Sequence, residues 1–156
     1  MDPFLAAIEG MGIAQTLRVS RWGYAVTNAA HVLGIALLIG AIIPLQLRFL
    51  GLWPSIPREL LVRVLSPVAA TGLALAVIAG LLLFSVRARE YADIGFLQAK
   101  LVFVGLGTLS AVALHLAYGF WLESARDGRL VGHAIVSMSC WIGALVCGRL
   151  IAFASD

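Results

Sequence analysis

Three histidines and one lysine sit within stretches that are otherwise almost wholly apolar. His31 lies in NAAHVLGIALLIGAIIPLQLRFLG (28–51), Lys100 closes FLQAK (96–100), His115 lies in SAVALHLAY (110–118), and His133 follows the polar run ESARDGRL (123–130). An imidazole nitrogen is a natural ligand for haem iron, and a neutral ring costs less in hydrocarbon than a central charge, for which insertion scales give about 2.5–3.5 kcal/mol. The neighbours of these histidines suit a flat ring. Gly107, Ala111, His115 and Gly119 recur every four residues and share one helical face. His133, Ser137, Cys140, Ala144 and Cys147 make a second stripe of small or weakly polar residues, and Thr27, His31 and Gly34 a third. Single- or bis-histidine ligation of haem b fits such settings, with His115 the first candidate, His31 the second and His133 the third. Lys100, Arg149 and Arg48 are candidate electrostatic partners, since arginines near the span ends, Arg126 among them, can pair bidentately with propionates.

The elements that must hold these residues are long and greasy. The chain has 156 residues, 62% hydrophobic and 12% charged, with a mean hydropathy of +1.00. That charged fraction is about half that of an ordinary soluble domain. Four apolar runs, Trp22–Phe49, Val64–Val86, Phe96–Leu122 and Val131–Phe153, each reach the ~20 residues that cross a bilayer as a helix. Backbone inside lipid must satisfy its own hydrogen bonds, so helix is the conformation such runs require. The connections GLWPSIPREL, VRAREYAD and ESARDGRL are short and carry Pro, Gly and charge, which predicts an all-α, up-down, four-helix membrane bundle over 21–156. Residues 1–20 form a separate segment: Asp2-Pro3 starts a helix, and Phe4, Leu5, Ile8 and Met11 recur at helical spacing, as in an amphipathic helix lying in the interface. In the second run Gly72, Ala76 and Gly80 predict close packing against a neighbouring helix.

Depth along the spans sorts the polar groups. At 1.5 Å per residue His115 and His133 fall at similar depth on the side away from the termini, with Lys100 and His31 together roughly 15–20 Å nearer the termini. Packed helices stand 8–10 Å apart, which argues against a haem between His115 and His133 unless their helices splay. The same depths argue against one zinc or copper site built from all three histidines. Six cationic residues (Arg18, Arg21, Arg87, Arg89, Lys100, Arg149) lie on the termini side and five (Arg48, Arg58, Arg63, Arg126, Arg129) on the other. This narrow excess tilts the termini toward the cytoplasm, with a bacterial inner membrane as the expected location. Asp and Glu are confined to termini and loops, no P-loop or CxxC is present, and no interleaving of basic and aromatic residues suggests nucleic acid. Cys140 and Cys147, seven apart on one helix, are too distant for a disulfide and read as packing residues.

His31 with LQLRFLG (45–51), FLQAK (96–100), His115 and SMSCWIGALVCGRLIAF (137–153) together resemble a family of small bacterial four-helix membrane proteins of unknown function. Trp141, Gly148, Arg149, Ile151 and Ala152 match the W…GRxIA pattern that closes the last helix in that family, while Gln46 stands where the family carries an aspartate. A looser similarity is to HemJ-type protoporphyrinogen oxidases. It implies a haem-associated histidine at His31 and an activity-linked lysine at Lys100, although the Trp- and Tyr-rich flanks of that family are missing. The expectation is a membrane-embedded, cytochrome b-like electron-transfer protein or subunit, with quinone or a redox partner subunit as its electron partner and open to oligomerisation. The alternatives are a cofactor-free accessory subunit of a larger membrane complex, with histidines that are merely hydrogen-bonded, and a porphyrin oxidase.

Overall fold

The computed structural model describes residues 2–119, 121–122 and 127–154. Among these, two short helices, α1 (Asp2–Glu9) and α2 (Gly12–Val19), precede α3 (Arg21–Phe49) and α4 (Arg58–Val86). A five-residue helix, α5 (Ala88–Ala92), then leads into α6 (Gly95–Tyr118) and α7 (Asp127–Ala154). α3, α4, α6 and most of α7 are long and apolar enough to cross a membrane, which fits an integral membrane protein. Their outward faces carry Leu81, Leu101, Leu109 and Leu116, each more than three-fifths exposed and so suited to lipid.

The helix ends follow local chemistry. Ser20 caps α3, its hydroxyl oxygen accepting from the Gly23 amide at 3.0 Å. At the other end of α3 the Leu52 amide bonds the Leu47 carbonyl and the Gly51 amide the Arg48 carbonyl, a Schellman motif with Gly51 at φ 100° in the left-handed position. α3 runs unbroken through Pro44, at the cost of the one backbone hydrogen bond that a proline nitrogen cannot donate. α4 begins at Arg58, six residues before its apolar run, because Pro57 fixes its N-cap and Arg58, Glu59 and Arg63 tolerate water.

The bundle is two hairpins. α3 packs on α4 and α6 on α7, and the hairpins meet along α3 and α7. Among the described residues no Cα of α4 comes within 8 Å of one in α6. Consecutive helices are therefore close neighbours within each hairpin and not across the middle connection, where α5 intervenes. The first hairpin is held by a backbone approach: a Cβ on Gly34 would fall 2.5 Å from the Ala76 nitrogen, and one on Gly72 would fall 2.6 Å from the Leu38 nitrogen. The close packing expected of Gly72 and Ala76 is thus present, with Gly34 as its counterpart. Side chains from all four long helices fill the interior, in one cluster around Leu45, Phe49, Val62, Leu114 and Leu130 and another around Leu38, Ile42 and Trp141.

The N-terminal segment is two helices broken at Gly10 and Met11, rather than one. It is tied to the bundle. The Glu9 carboxylate accepts from the Arg89 amide at 3.0 Å and from its guanidinium at 2.8 and 3.0 Å, and Arg18 donates to the Val86 carbonyl at the end of α4.

Candidate functional site

His31 lies in the third turn of α3 and turns toward α4. Its Nδ1 is 2.7 Å from the Ala76 carbonyl oxygen. A carbonyl only accepts, so Nδ1 carries the proton and, in the neutral ring, the lone pair is on Nε2. The ring rests on Gly80, where a Cβ would fall 3.0 Å from Cε1 and 3.2 Å from Nδ1. The third member of the Gly72/Ala76/Gly80 series is therefore a seat for an imidazole rather than a helix-to-helix contact. Lys100, in the second turn of α6, lies against Gly148 of α7, where a Cβ would be 3.3 Å from its Nζ. Its ammonium is within electrostatic reach of His31. The two residues that shared a depth in the sequence thus pack against different neighbours, His31 on α4 and Lys100 on α7.

The other two histidines lie toward the opposite end. His115 donates from Nδ1 to the Ala111 carbonyl of its own helix at 2.9 Å, and His133 Nδ1 is 2.9 Å from the Ser110 hydroxyl across the α6–α7 contact. Their rings are within electrostatic reach of each other. The helices that carry them do not splay. A Cβ at Gly107 would fall 2.9 Å from the Trp141 ring, and one at Gly143 would fall 3.0 Å from the Phe103 ring. The recess expected beside His115 is therefore filled at Gly107 by the protein's own indole. Ser137, Cys140 and Ala144 of the second stripe are buried in the interior, and Cys147 is half-buried. Among the described residues no group of three or more His, Cys, Asp or Glu side chains gathers to hold a metal ion.

The candidate cations divide by what they touch. Arg48 donates from Nε to the Ile56 carbonyl at 2.8 Å and reaches the Pro54 carbonyl at 3.4 Å, bracing the α3–α4 connection. Arg149 is exposed, its guanidinium 4.9 Å from the Phe153 ring centroid. Arg126 lies outside the described residues. Lys100 is the candidate cation that approaches a histidine.

One polar feature was not singled out by sequence reasoning as a buried group. Gln46, 3% exposed, donates from Nε2 to the Ser137 hydroxyl at 3.1 Å, while Gln46 Oε1, Trp141 Nε1 and Ser66 Oγ are buried without a hydrogen-bond partner. The signal was available: Gln46 follows Leu38 and Ile42 at intervals of four, on the face of α3 that is buried.

Fold and site define the class, a four-span α-helical membrane protein with a histidine hydrogen-bonded between its first two spans. Comparison with family models, curated proteins and solved structures finds no match to this chain.

Proposed function

We propose that this protein binds haem b within the membrane and acts as a cytochrome b-like electron-transfer protein or subunit, in which His31 would hold the iron and Lys100 would supply a cation to the group. The observation that carries this reading is the hydrogen bond from His31 Nδ1 to the Ala76 carbonyl. Histidines that ligate metals typically spend one ring nitrogen on a backbone carbonyl or carboxylate, which fixes the tautomer and aims the other nitrogen. Gly80 supports the ring, and the Lys100 ammonium is suited to a propionate. Haem, when bound, supplies one-electron chemistry. The chain's part is to hold the imidazole, supply the cation and surround both with apolar helices. His115 and His133 rank behind His31 because the contact between α6 and α7 is filled by Trp141 and Phe103. In this reading the protein resides in a bacterial inner membrane, with both termini on the cytoplasmic side and quinone or a membrane redox subunit as its partner.

The test is an absorption spectrum of the detergent-purified protein, air-oxidised and then dithionite-reduced, after expression with haem supplied. A reduced b-type α-band that is lost in His31→Ala and kept in His115→Ala supports the assignment. A flat spectrum from folded protein overturns it. Lys100→Met should leave the band nearly intact; a Lys100→Met protein that keeps its band but loses porphyrin-oxidising turnover would identify the enzyme of the looser resemblance instead. A second reading, a cofactor-free accessory subunit, is favoured by the filling of Gly107 and Gly143 with the protein's own rings, and a stable, colourless protein would select it.

A further inference from the structure

At the termini end, a half-open pocket of about 430 Å³ is lined by Leu17, Arg18, Ser20, Arg21, Tyr24, Val86, Arg87 and Tyr91. That volume falls in the range of small-ligand sites. Three arginines from three different parts of the chain, α2, the start of α3 and the end of α4, converge on it. Arg18 spends one nitrogen on the Val86 carbonyl. Arg87 meets Glu90 only at 3.3 Å, with both side chains about half exposed or more, a pair of little strength. Arg21 has neither hydrogen bond nor ion pair among the described residues. Glu9 is committed to Arg89, so four arginines (18, 21, 87, 89) face two carboxylates (9, 90), and the cluster keeps a positive excess. Tyr24 and Tyr91 add hydroxyl groups; burial and then the neighbouring Tyr24 push the Tyr91 phenol upward, which keeps it a donor.

The position of the pocket identifies the anion. Arg21 opens α3 and Arg87 follows the last residue of α4, so the pocket sits at the level of the span ends, where lipid phosphates lie. Trp22, 81% exposed beside Arg21, is the amphipathic side chain that favours this level. We propose that this pocket seats the phosphate of an anionic phospholipid headgroup, with Arg21 and Arg87 as its charged contacts and Arg18 closing one wall. The proposal is independent of the haem reading.

The test is native mass spectrometry of the full chain released from detergent, with phosphatidylglycerol, phosphatidylcholine or inorganic phosphate added at matched concentrations. Phosphatidylglycerol should be retained over phosphatidylcholine. Arg21→Gln with Arg87→Gln should weaken that retention about 30-fold, from the usual worth of two surface arginines near anionic lipid. Arg129→Gln, on the far side, should leave it unchanged. Equal retention of the two lipids, equal loss in Arg129→Gln, or displacement of the lipid by an equal concentration of inorganic phosphate would each overturn the proposal, the last by making soluble phosphate the ligand. If the double variant does not fold, Arg21→Gln alone is read; the guanidinium holds no hydrogen bond or ion pair among the described residues, and its loss should weaken retention about 5-fold. No change there is likewise a refutation.

Discussion

Gly34→Ala probes the contact on which the histidine site depends. A methyl at position 34 would stand 2.5 Å from the Ala76 nitrogen, 2.8 Å from the Gly72 oxygen and 2.9 Å from the Ala76 Cα. All three are backbone atoms, so no side chain can swing aside and α4 itself must retreat. Ordinary contact begins near 3.4 Å, which sets the retreat at about 0.9 Å. A movement of that size along the His31–Ala76 line would stretch its 2.7 Å hydrogen bond to about 3.6 Å, beyond bonding distance. Overpacking of this kind costs about 1–3 kcal/mol, and a lost hydrogen bond between membrane helices adds about 0.6–1.7 kcal/mol, so Gly34→Ala should destabilise by about 2–4 kcal/mol. The assay is reversible unfolding in mixed micelles with increasing dodecyl sulfate, run on wild type, Gly34→Ala, His31→Ala and the double variant. Because the alanine already breaks the bond, His31→Ala should cost about 1 kcal/mol less in the Gly34→Ala background than in wild type. A Gly34→Ala cost below about 0.5 kcal/mol, or strict additivity of the two substitutions, would refute the reasoning.

Two further outcomes follow from other contacts. The amide and then the guanidinium of Arg89 hold the Glu9 carboxyl below its ordinary value of 4.5. A group lowered in the folded state contributes stability that is complete above its unfolded pKa and is lost as pH falls through the folded one. Docking of α1 on α5 should therefore be full at neutral pH and loosen on acidification below about 4.5, read as a fall in amide protection in 2–9 relative to the intrinsic exchange rate at each pH; Glu9→Gln should loosen it at neutral pH and flatten the profile. Gln46→Met removes a buried oxygen that lacks a partner along with a single hydrogen bond, so it should change unfolding free energy by less than about 1 kcal/mol; a loss above about 2 kcal/mol would mean that the amide carries more than the Ser137 bond.

Much of the architecture was legible because the bilayer leaves few choices. Four runs of apolar residues gave four helices, and the ends at Phe49 and Val86 were readable to the residue. The start of α4 was not, since hydropathy marks where lipid begins while a helix continues into water as long as Pro57 and charged residues allow. The end of α6 came at Tyr118, short of the apolar run, because Gly119 adopts φ 80°, ψ 168° and stops the helix. Depth alone paired His31 with Lys100 and His115 with His133, while the hydrogen bonds that orient the rings, to Ala76, Ala111 and Ser110, could not be read from depth. What periodicity lacks is the rotational setting of one helix against another. Gly80 announced close approach without saying what approaches, and its occupant is an imidazole; Gly107, Gly143 and Gly148 in turn lie against an indole, a phenyl ring and a lysine. The arginine pocket was hidden for the same reason: Arg18, Arg21 and Arg87 were visible as flanking charge, but their convergence depends on how α2 folds back on α4.

The division into two hairpins bears on how the chain is assembled and how it moves. The α3–α4 contact, glycine against backbone, is complete without the second pair, and the α6–α7 contact, glycine against aromatic ring, is complete without the first. Such a chain suits delivery into a bilayer as two successive units, with the joint along α3 and α7 formed last. That joint is where the two units could turn against each other as bodies. A rocking of one unit against the other would alter the gap between α4 and α6 and the separation of Lys100 from His31, which belong to different units. The His31–Ala76 bond is internal to the first unit and rides with it unchanged, so the motion would vary the charge near the imidazole while its orientation stays fixed.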